Sequence, residues 1–152
     1  MDHNKSHNIL VVDEEVEYAP LIEQILGKFY PNSSNLFWFE YEGAVLDFLN
    51  TKLSPTISIV LLDINNSNFN GITLLKRLKD ESSPLKIIPI IIFSRLQDFS
   101  VIRKAFCLGA NSWVQKPTDM ETFRTVLEII CEFWLKHTIL PSSLYLKHHI
   151  HI

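Results

Sequence analysis

The sequence has few cysteines, no long hydrophobic run and little net charge. Its two cysteines, Cys107 and Cys131, both fall within apolar helical patterns, so we expect reduced core thiols in a cytoplasmic protein. The longest apolar stretch, 87–93, contains a proline and is far too short to span a bilayer. A net charge of -3 gives no reason to expect binding to nucleic acid or to an anionic membrane.

The composition is that of a folded globular protein. Hydrophobic residues make up 47% of the 152 positions and charged residues 20%, which predicts one domain with a sizeable core. The first eight residues, M-D-H-N-K-S-H-N, are polar and lack the apolar centre of a signal peptide. These features favour a single intracellular domain.

Short apolar runs alternate with amphipathic patterns along the chain. The runs predict β-strands at 9–12, 35–40, 57–62, 87–93 and 112–114. Helical spacing of apolar residues predicts helices at 16–29, 42–49, 72–78, 98–108 and 118–134. Five strands that alternate with five helices indicate an α/β fold, a (βα)5 doubly wound five-stranded parallel sheet that is covered on both faces.

Local signals mark the ends of the last two helices. Asp98 is a predicted N-cap, and Gly109 is a predicted stop for the same helix. The buried face of this helix is expected to contain Val101, Ile102, Ala105 and Phe106. For the final helix, Thr118 and Glu121 have the spacing of a capping box.

Polar side chains follow four of the five predicted strands: Asp13-Glu14, Asp63, Ser94 and Lys116. Parallel strands end at one edge of a sheet, so we expect these groups to meet there. Crowded carboxylates repel one another, and Mg²⁺, which prefers oxygen ligands, relieves that repulsion. A lysine and a hydroxyl can bind phosphoryl oxygens. The pattern therefore predicts a magnesium-dependent phosphoryl-transfer site with Asp63 as the nucleophile.

Motifs in this order resemble a known family. They are V-V-D-E-E at 11–15, V-L-L-D at 60–63 with N-G at 70–71, I-I-I-F-S at 90–94, G-A-N-S-W-V at 109–114 and Q-K-P at 115–117. Together they resemble the receiver domain of two-component response regulators, which has the CheY-like, flavodoxin-like fold. The resemblance implies a receiver domain at 8–135 and a C-terminal extension at 136–152, packed on the domain or at a dimer interface.

The resemblance assigns an acceptor and its metal ligands. Asp63 falls on the position of the phosphoacceptor. Asp13 and Glu14 fall on the acidic pair that holds Mg²⁺, with Glu14 in place of the commoner Asp. Asn65 falls where a backbone carbonyl completes the metal coordination.

The resemblance also assigns the residues that respond to the phosphoryl group. Lys116 and Ser94 fall on the lysine and the hydroxyl that bind it. Trp113 falls on the aromatic switch residue; an ordinary core role for this tryptophan stays open. Arg95 departs from the pattern, because receivers often have a small residue after the hydroxyl. Its bulk and charge would either obstruct the pocket or hold the phosphate.

The implied function is that of a single-domain response regulator. It would accept a phosphoryl group from a sensor histidine kinase, catalyse its own dephosphorylation, and signal to a downstream protein target without acting as an enzyme. The segment F-W-L-K-H-T-I-L-P at 133–141 is similar to the small regulators that partner bacterial phytochromes, which suggests a phytochrome-type kinase. An aromatic-rich end suggests a homodimer. The alternative is a phosphorylation-independent interaction module, which Arg95 favours.

Overall fold

Five parallel strands form one sheet in the described residues, which in this computed structural model are 6–50, 56–65 and 70–141. The strands are β1 (His7–Val12), β2 (Ser34–Phe39), β3 (Ile59–Leu62), β4 (Ile90–Ser94) and β5 (Ser112–Gln115). They lie in the order β2-β1-β3-β4-β5, and each neighbouring pair is parallel. Every residue of β3 and β4 is buried, as expected for central strands covered on both faces.

A helix follows each strand. The helices are α1 (Ala19–Phe29), α2 (Glu42–Leu49), α3 (Gly71–Leu78), α4 (Phe99–Cys107) and α5 (Met120–Cys131). A 3₁₀ turn (Val16–Tyr18) precedes α1, and a π-helical segment (Glu132–His137) continues α5. The predicted doubly wound, flavodoxin-like α/β fold is therefore confirmed. No helix in the described ranges is long and apolar enough to cross a membrane.

The apolar residues of the strands belong to two hydrophobic clusters, and successive residues of a strand belong to different clusters. The first contains Ile9, Val11, Leu61 and Phe93 and packs against α1 and α5. The second takes the intervening strand positions and packs against α2, α3 and α4. Successive side chains of a strand point to opposite faces, so the two clusters lie on opposite faces of the sheet. Helices therefore cover both faces of the sheet, and polar residues follow its strands at the carboxyl edge.

Some predicted local features are wrong. Asp119, not Thr118, is the N-cap of α5, because its Oδ2 accepts a hydrogen bond of 2.8 Å from the Thr122 amide. On α4 only Ala105 is buried, while Phe106 is 48% exposed. The predicted cap at Asp98 and the stop at Gly109, where φ is +108°, are confirmed.

The two cysteines differ in environment. Both are free thiols, but Cys107 is exposed, so the expectation of a core position is wrong for it. It follows Ala105 by two positions on α4, and two helical positions turn a side chain to the other side of the helix. Cys131 is buried in the first cluster, and burial, with the nearby Glu128 carboxylate, raises its pKa to about 12.

The described part of the C-terminal segment packs partly on the domain. Leu135 and Leu140 are buried in the first cluster, whereas Phe133 is 55% exposed. The predicted extension at 136–152 is described only to residue 141, so its histidines at 148, 149 and 151 lie outside the described residues. The 52–55 stretch preceding β3 also lies outside them.

Candidate functional site

The sheet ladder extends one residue beyond its strands at the carboxyl edge. The amide of Asp13 donates to the Phe39 carbonyl at 3.0 Å, and the amide of Asp63 donates to the Val12 carbonyl at 3.0 Å. The amide of Lys116 donates to the Ser94 carbonyl at 2.9 Å. Main-chain hydrogen bonds therefore fix the positions of these three residues before any side-chain contact is made.

The structure brings together Asp13, Asp63 and Lys116. The Lys116 ammonium donates to Asp13 Oδ2 at 2.6 Å and to Asp63 Oδ2 at 3.0 Å. All three side chains are at least nine-tenths buried. Burial alone would lower the pKa of Lys116, but attraction and hydrogen bonds to the two carboxylates outweigh it and raise that pKa. Lys116 is therefore charged at neutral pH, and its ammonium lies between the carboxylates of Asp13 and Asp63.

Backbone amides orient both carboxylates. Asp13 Oδ1 accepts a hydrogen bond of 2.8 Å from the Glu15 amide, and Asp63 Oδ1 accepts one of 3.0 Å from the Asn65 amide. Each aspartate thus uses one oxygen to close a local Asx turn and directs the other at Lys116. Burial raises the pKa of Asp13, and this effect exceeds the opposing influence of Lys116. The partners of Asp13 therefore offset only part of the cost of burying its ionised form.

The other predicted site residues lie around this centre. Ser94 ends β4, is fully buried, and its Oγ accepts a hydrogen bond of 3.2 Å from the Leu96 amide. Trp113 lies in β5, partly buried against the second cluster. Glu14 is half-buried beside Asp13, and the side chain of Asn65 is exposed.

The oxygen donors fit a hard divalent cation. Mg²⁺ keeps several waters and needs only one or two carboxylates with a carbonyl or substrate oxygen. The three carboxylates expected from the sequence are not grouped as a metal site in the described ranges. The Lys116 ammonium instead lies between the two buried carboxylates of Asp13 and Asp63. A cation would stabilise the ionised form of Asp13, whose pKa is raised by burial.

Sequence reasoning missed three residues next to the centre. Glu15 Oε2 lies 3.5 Å from Lys116 Nζ, and the same carboxylate pairs with Arg95 at 3.2 Å. The Trp38 indole donates to the Asp13 carbonyl at 2.8 Å, and the Tyr18 hydroxyl contacts Arg95 at 3.3 Å. Two features of the sequence could have indicated the Glu15–Arg95 pair: the run of three acidic residues at 13–15 and the unusual Arg95. Nothing in the sequence pointed to Trp38 or Tyr18.

Comparisons with known proteins identify the family of the chain. The sequence model of the response regulator receiver domain matches residues 9–128. The probable methanogenesis regulatory protein FilR2 of Methanothrix harundinacea is 27% identical over 130 residues, which are 84% of this chain and 83% of that protein. Chemotaxis protein CheY of Treponema pallidum is 27% identical, with 74% of each chain covered. Other relatives are longer: the match to transcriptional regulatory protein CrdR of Helicobacter pylori, 34% identical, covers 42% of this chain but 29% of that protein.

Solved structures share the fold. The phosphorylated cyanobacterial phytochrome response regulator RcpA superposes with a TM-score of 0.82 at 21% identity, covering 90% of this chain and 99% of that one. The Mn²⁺-bound form of response regulator Rcp1 gives a TM-score of 0.80 at 23% identity, covering 89% and 99%. The match therefore covers almost the whole of each of these two chains.

Proposed function

The chain belongs to the response regulator receiver family of two-component systems, and from this premise we propose that it is a phosphorylation-dependent switch whose acceptor is Asp63. The observation that carries the proposal is the buried contact of Lys116 with Asp13 and Asp63 at the carboxyl edge of the sheet. A surface salt bridge would not need such burial, whereas a phosphoryl-transfer site requires charges that are held in place before the reaction.

In the proposed reaction, a carboxylate oxygen of Asp63 attacks the phosphorus of a phosphohistidine on the kinase. The O–P bond forms as the P–N bond breaks, and the imidazole keeps the electron pair and takes up one proton. Lys116, already at 3.0 Å from Asp63, binds a phosphoryl oxygen and offsets part of the added charge. The Ser94 hydroxyl donates to a second phosphoryl oxygen.

Receiver domains bind Mg²⁺ or Mn²⁺ at their acidic pocket, and the Rcp1 structure contains Mn²⁺. We infer that Asp13, Asp63 and the carbonyl of Asn65 hold this ion, and that Glu14, the third predicted carboxylate, joins them only when the ion is bound. When bound, it supplies positive charge to the phosphoryl oxygens and to the carboxylates. The two buried carboxylates of Asp13 and Asp63, both in contact with Lys116, support this assignment.

The proposed output is a change in protein contacts. Trp113 would follow the movement of Ser94, since β5 and β4 are hydrogen-bonded neighbours in the sheet. Large hydrophobic side chains are exposed on the nearby helices, among them Phe99, Phe106 and Ile129. Such side chains suit a homodimer or a downstream target. Similarity in fold to RcpA supports a phytochrome-type histidine kinase as the donor.

The test is intact mass after addition of acetyl phosphate with and without Mg²⁺. We expect one added phosphoryl group that depends on Mg²⁺, is absent in Asp63→Asn, and is retained in the control Asp47→Asn, whose side chain lies on the exposed face of α2. Sedimentation of both phosphorylation states checks the homodimer, and a monomer in both would exclude it.

The second candidate is a phosphorylation-independent interaction module. Asp63 is only 5% exposed, and its partner Lys116 also contacts the Glu15–Arg95 ion pair. A phosphodonor would have poor access to such a carboxylate, which favours this alternative. Absence of any phosphoryl adduct on folded protein, from acetyl phosphate or from a phosphorylated kinase, would replace the switch with this module.

A further inference from the structure

Contacts run outward from the acceptor through a series of charged side chains. Asp63 contacts Lys116, Lys116 contacts Glu15 at 3.5 Å, and Glu15 contacts Arg95 at 3.2 Å. The exposed fraction of these side chains changes from 6% and 1% for the first two to 26% and 36% for the last two. Glu15 and Arg95 are therefore the solvent-exposed end of this series of contacts.

Arg95 joins three loops at this edge. Its Nε and Nη2 donate to the two oxygens of Glu15 at 3.3 and 3.2 Å, a fork that contacts the loop after β1. Its Nη1 donates to the Pro117 carbonyl at 3.0 Å in the loop after β5, and Nη2 lies 3.3 Å from the Tyr18 hydroxyl. Arg95 itself follows β4. One side chain thus connects the loops that follow β1, β4 and β5.

The Glu15–Arg95 pair is bidentate: two guanidinium nitrogens donate to the two carboxylate oxygens at 3.3 and 3.2 Å. A planar guanidinium that meets a carboxylate with two donors is the geometry that favours a defined closed arrangement. The pair is nevertheless partly exposed, so water and salt compete with it.

We propose that the Glu15–Arg95 ion pair is a gate over Asp63, which opens to admit a phosphodonor and opens again to admit the water that removes the phosphoryl group. This inference rests on the proposed function of Asp63 as the acceptor. Arg95 is here a positioning residue: in the closed state its partners are Glu15, Tyr18 and Pro117, and it acts by covering the site.

Both reactions need access to the same phosphorus. In uptake from acetyl phosphate, an Asp63 oxygen bonds to phosphorus while acetate leaves with the electron pair of the broken P–O bond. In loss, a water oxygen bonds to phosphorus, Asp63 leaves with its electron pair, and one water proton passes to solvent. A gate therefore slows both reactions, whereas an arginine that held the phosphoryl group would speed uptake and slow loss.

The expected factor is small. Exposed ion pairs are weak, and a partly exposed, bidentate pair shifts an equilibrium by up to about fivefold. We expect Arg95→Ala to raise the rate of phosphoryl uptake and the rate of phosphoryl loss by about fivefold each. Glu15→Gln should act in the same direction, and the double variant should add little, because both substitutions open one contact.

The experiment follows phosphorylation by acetyl phosphate and decay after its removal, by intact mass in Mg²⁺, for wild type, Arg95→Ala, Glu15→Gln and the double variant. Arg77→Ala is the matched control, because Arg77 forms an exposed ion pair with Glu42 at 3.4 Å elsewhere. It should leave both rates unchanged. Higher salt should raise both rates of the wild type towards those of Arg95→Ala, and it should leave the rates of that variant nearly constant. Arg95→Gln replaces Arg95→Ala if the latter does not fold.

The outcomes separate the gate from the acceptor. Equal rates for wild type and Arg95→Ala would overturn the gate and leave Asp63 as the acceptor. Opposite changes in uptake and loss would also overturn it, in favour of an arginine that binds the phosphoryl group. Phosphorylation of Arg95→Ala alone would support a gate that stays closed in wild type. No phosphorylation of any variant would overturn the gate and the proposed function together.

Discussion

Two lysines with covered ammonium groups lie in different charge environments. Lys116, after β5, donates to two carboxylates, and its pKa is raised. Lys79, at the end of α3, donates to the carbonyls of Lys86 and Ile88, each at 2.8 Å. Burial lowers the pKa of Lys79 to about 8. Partner charge, rather than burial alone, therefore decides the sign of the shift.

The two lysines also lie at different edges of the sheet. Lys116 follows a strand and lies at the carboxyl edge, where ligands bind in open α/β sheets. Lys79 ends a helix and closes the loop that leads into β4, at the amino edge. The two carbonyls that Lys79 contacts are neutral, so they accept its hydrogen bonds without offsetting its positive charge. We infer that one lysine serves chemistry and the other serves the fold.

The largest expected effect comes from replacing each lysine with Met. Lys116→Met should slow phosphorylation of Asp63 by at least about a hundredfold, because it removes a charged donor aimed at the phosphoryl group. Lys79→Met should leave the rate at the wild-type value. Rates from intact mass, with thermal unfolding to confirm folding, check both. An equal loss of phosphorylation rate in the two variants would contradict the assignment of Lys116 to the chemistry and Lys79 to the fold. Lys116→Arg, which keeps the charge, is the control.

The second, smaller expected effect distinguishes Gly71, at the carboxyl edge of the sheet, from Gly109, at the amino edge. A Cβ on Gly71 would lie 2.7 Å from Ile64 Cα and 2.9 Å from the Asp63 carbonyl, so the backbone beside the acceptor must move. We expect Gly71→Ala to cost about 1–3 kcal/mol in the free energy of unfolding. A displaced acceptor reacts poorly, so phosphorylation should slow by about tenfold or more.

Gly109→Ala is the matched substitution at the other edge. Its φ of +108° is unfavourable for alanine, and the new Cβ would meet the Lys79 side chain at 3.2 Å. The free energy of unfolding should fall by about 1–3 kcal/mol, but phosphorylation should keep its wild-type rate. Chemical denaturation and intact mass measure the two quantities. Slower phosphorylation in Gly109→Ala would show that destabilisation alone explains the effect at Gly71.

Much of this arrangement was predictable from the sequence, because it depends on backbone rules. Apolar runs predicted the strands, and parallel strands bring their carboxyl ends to one edge, which placed Asp13, Asp63 and Lys116 together. The direct contacts of Lys116 with both aspartates agree with that expectation. The roles of these residues in phosphoryl transfer remain predictions for the experiments above.

The remaining features depend on side-chain directions that a pattern does not contain. Glu15 and Arg95 are 80 positions apart, and their contact depends on the rotamers of two long side chains. Similarly, Thr118 and Asp119 both suit an N-cap, and only the backbone turn selects Asp119. Phe106 fits a helical stripe, but the short helix α4 buries only Ala105. Local geometry decides each of these cases after the fold has formed.

The smallest expected effect is a pH dependence of stability that belongs to Lys79. Its pKa is about 8 when folded and 10.5 in the unfolded reference, so between these values the unfolded state binds more protons and stability rises with pH. Because the side chain is only partly buried, we discount the full linkage to about 1 kcal/mol. The free energy of unfolding of wild type minus that of Lys79→Met should therefore increase between pH 7.5 and 9.5 in urea titrations. This window lies below the raised pKa of Lys116, whose charge is constant there. A difference that stays flat or decreases would mean that the Lys79 ammonium is solvated, and the contrast between the two lysines would then be one of position alone.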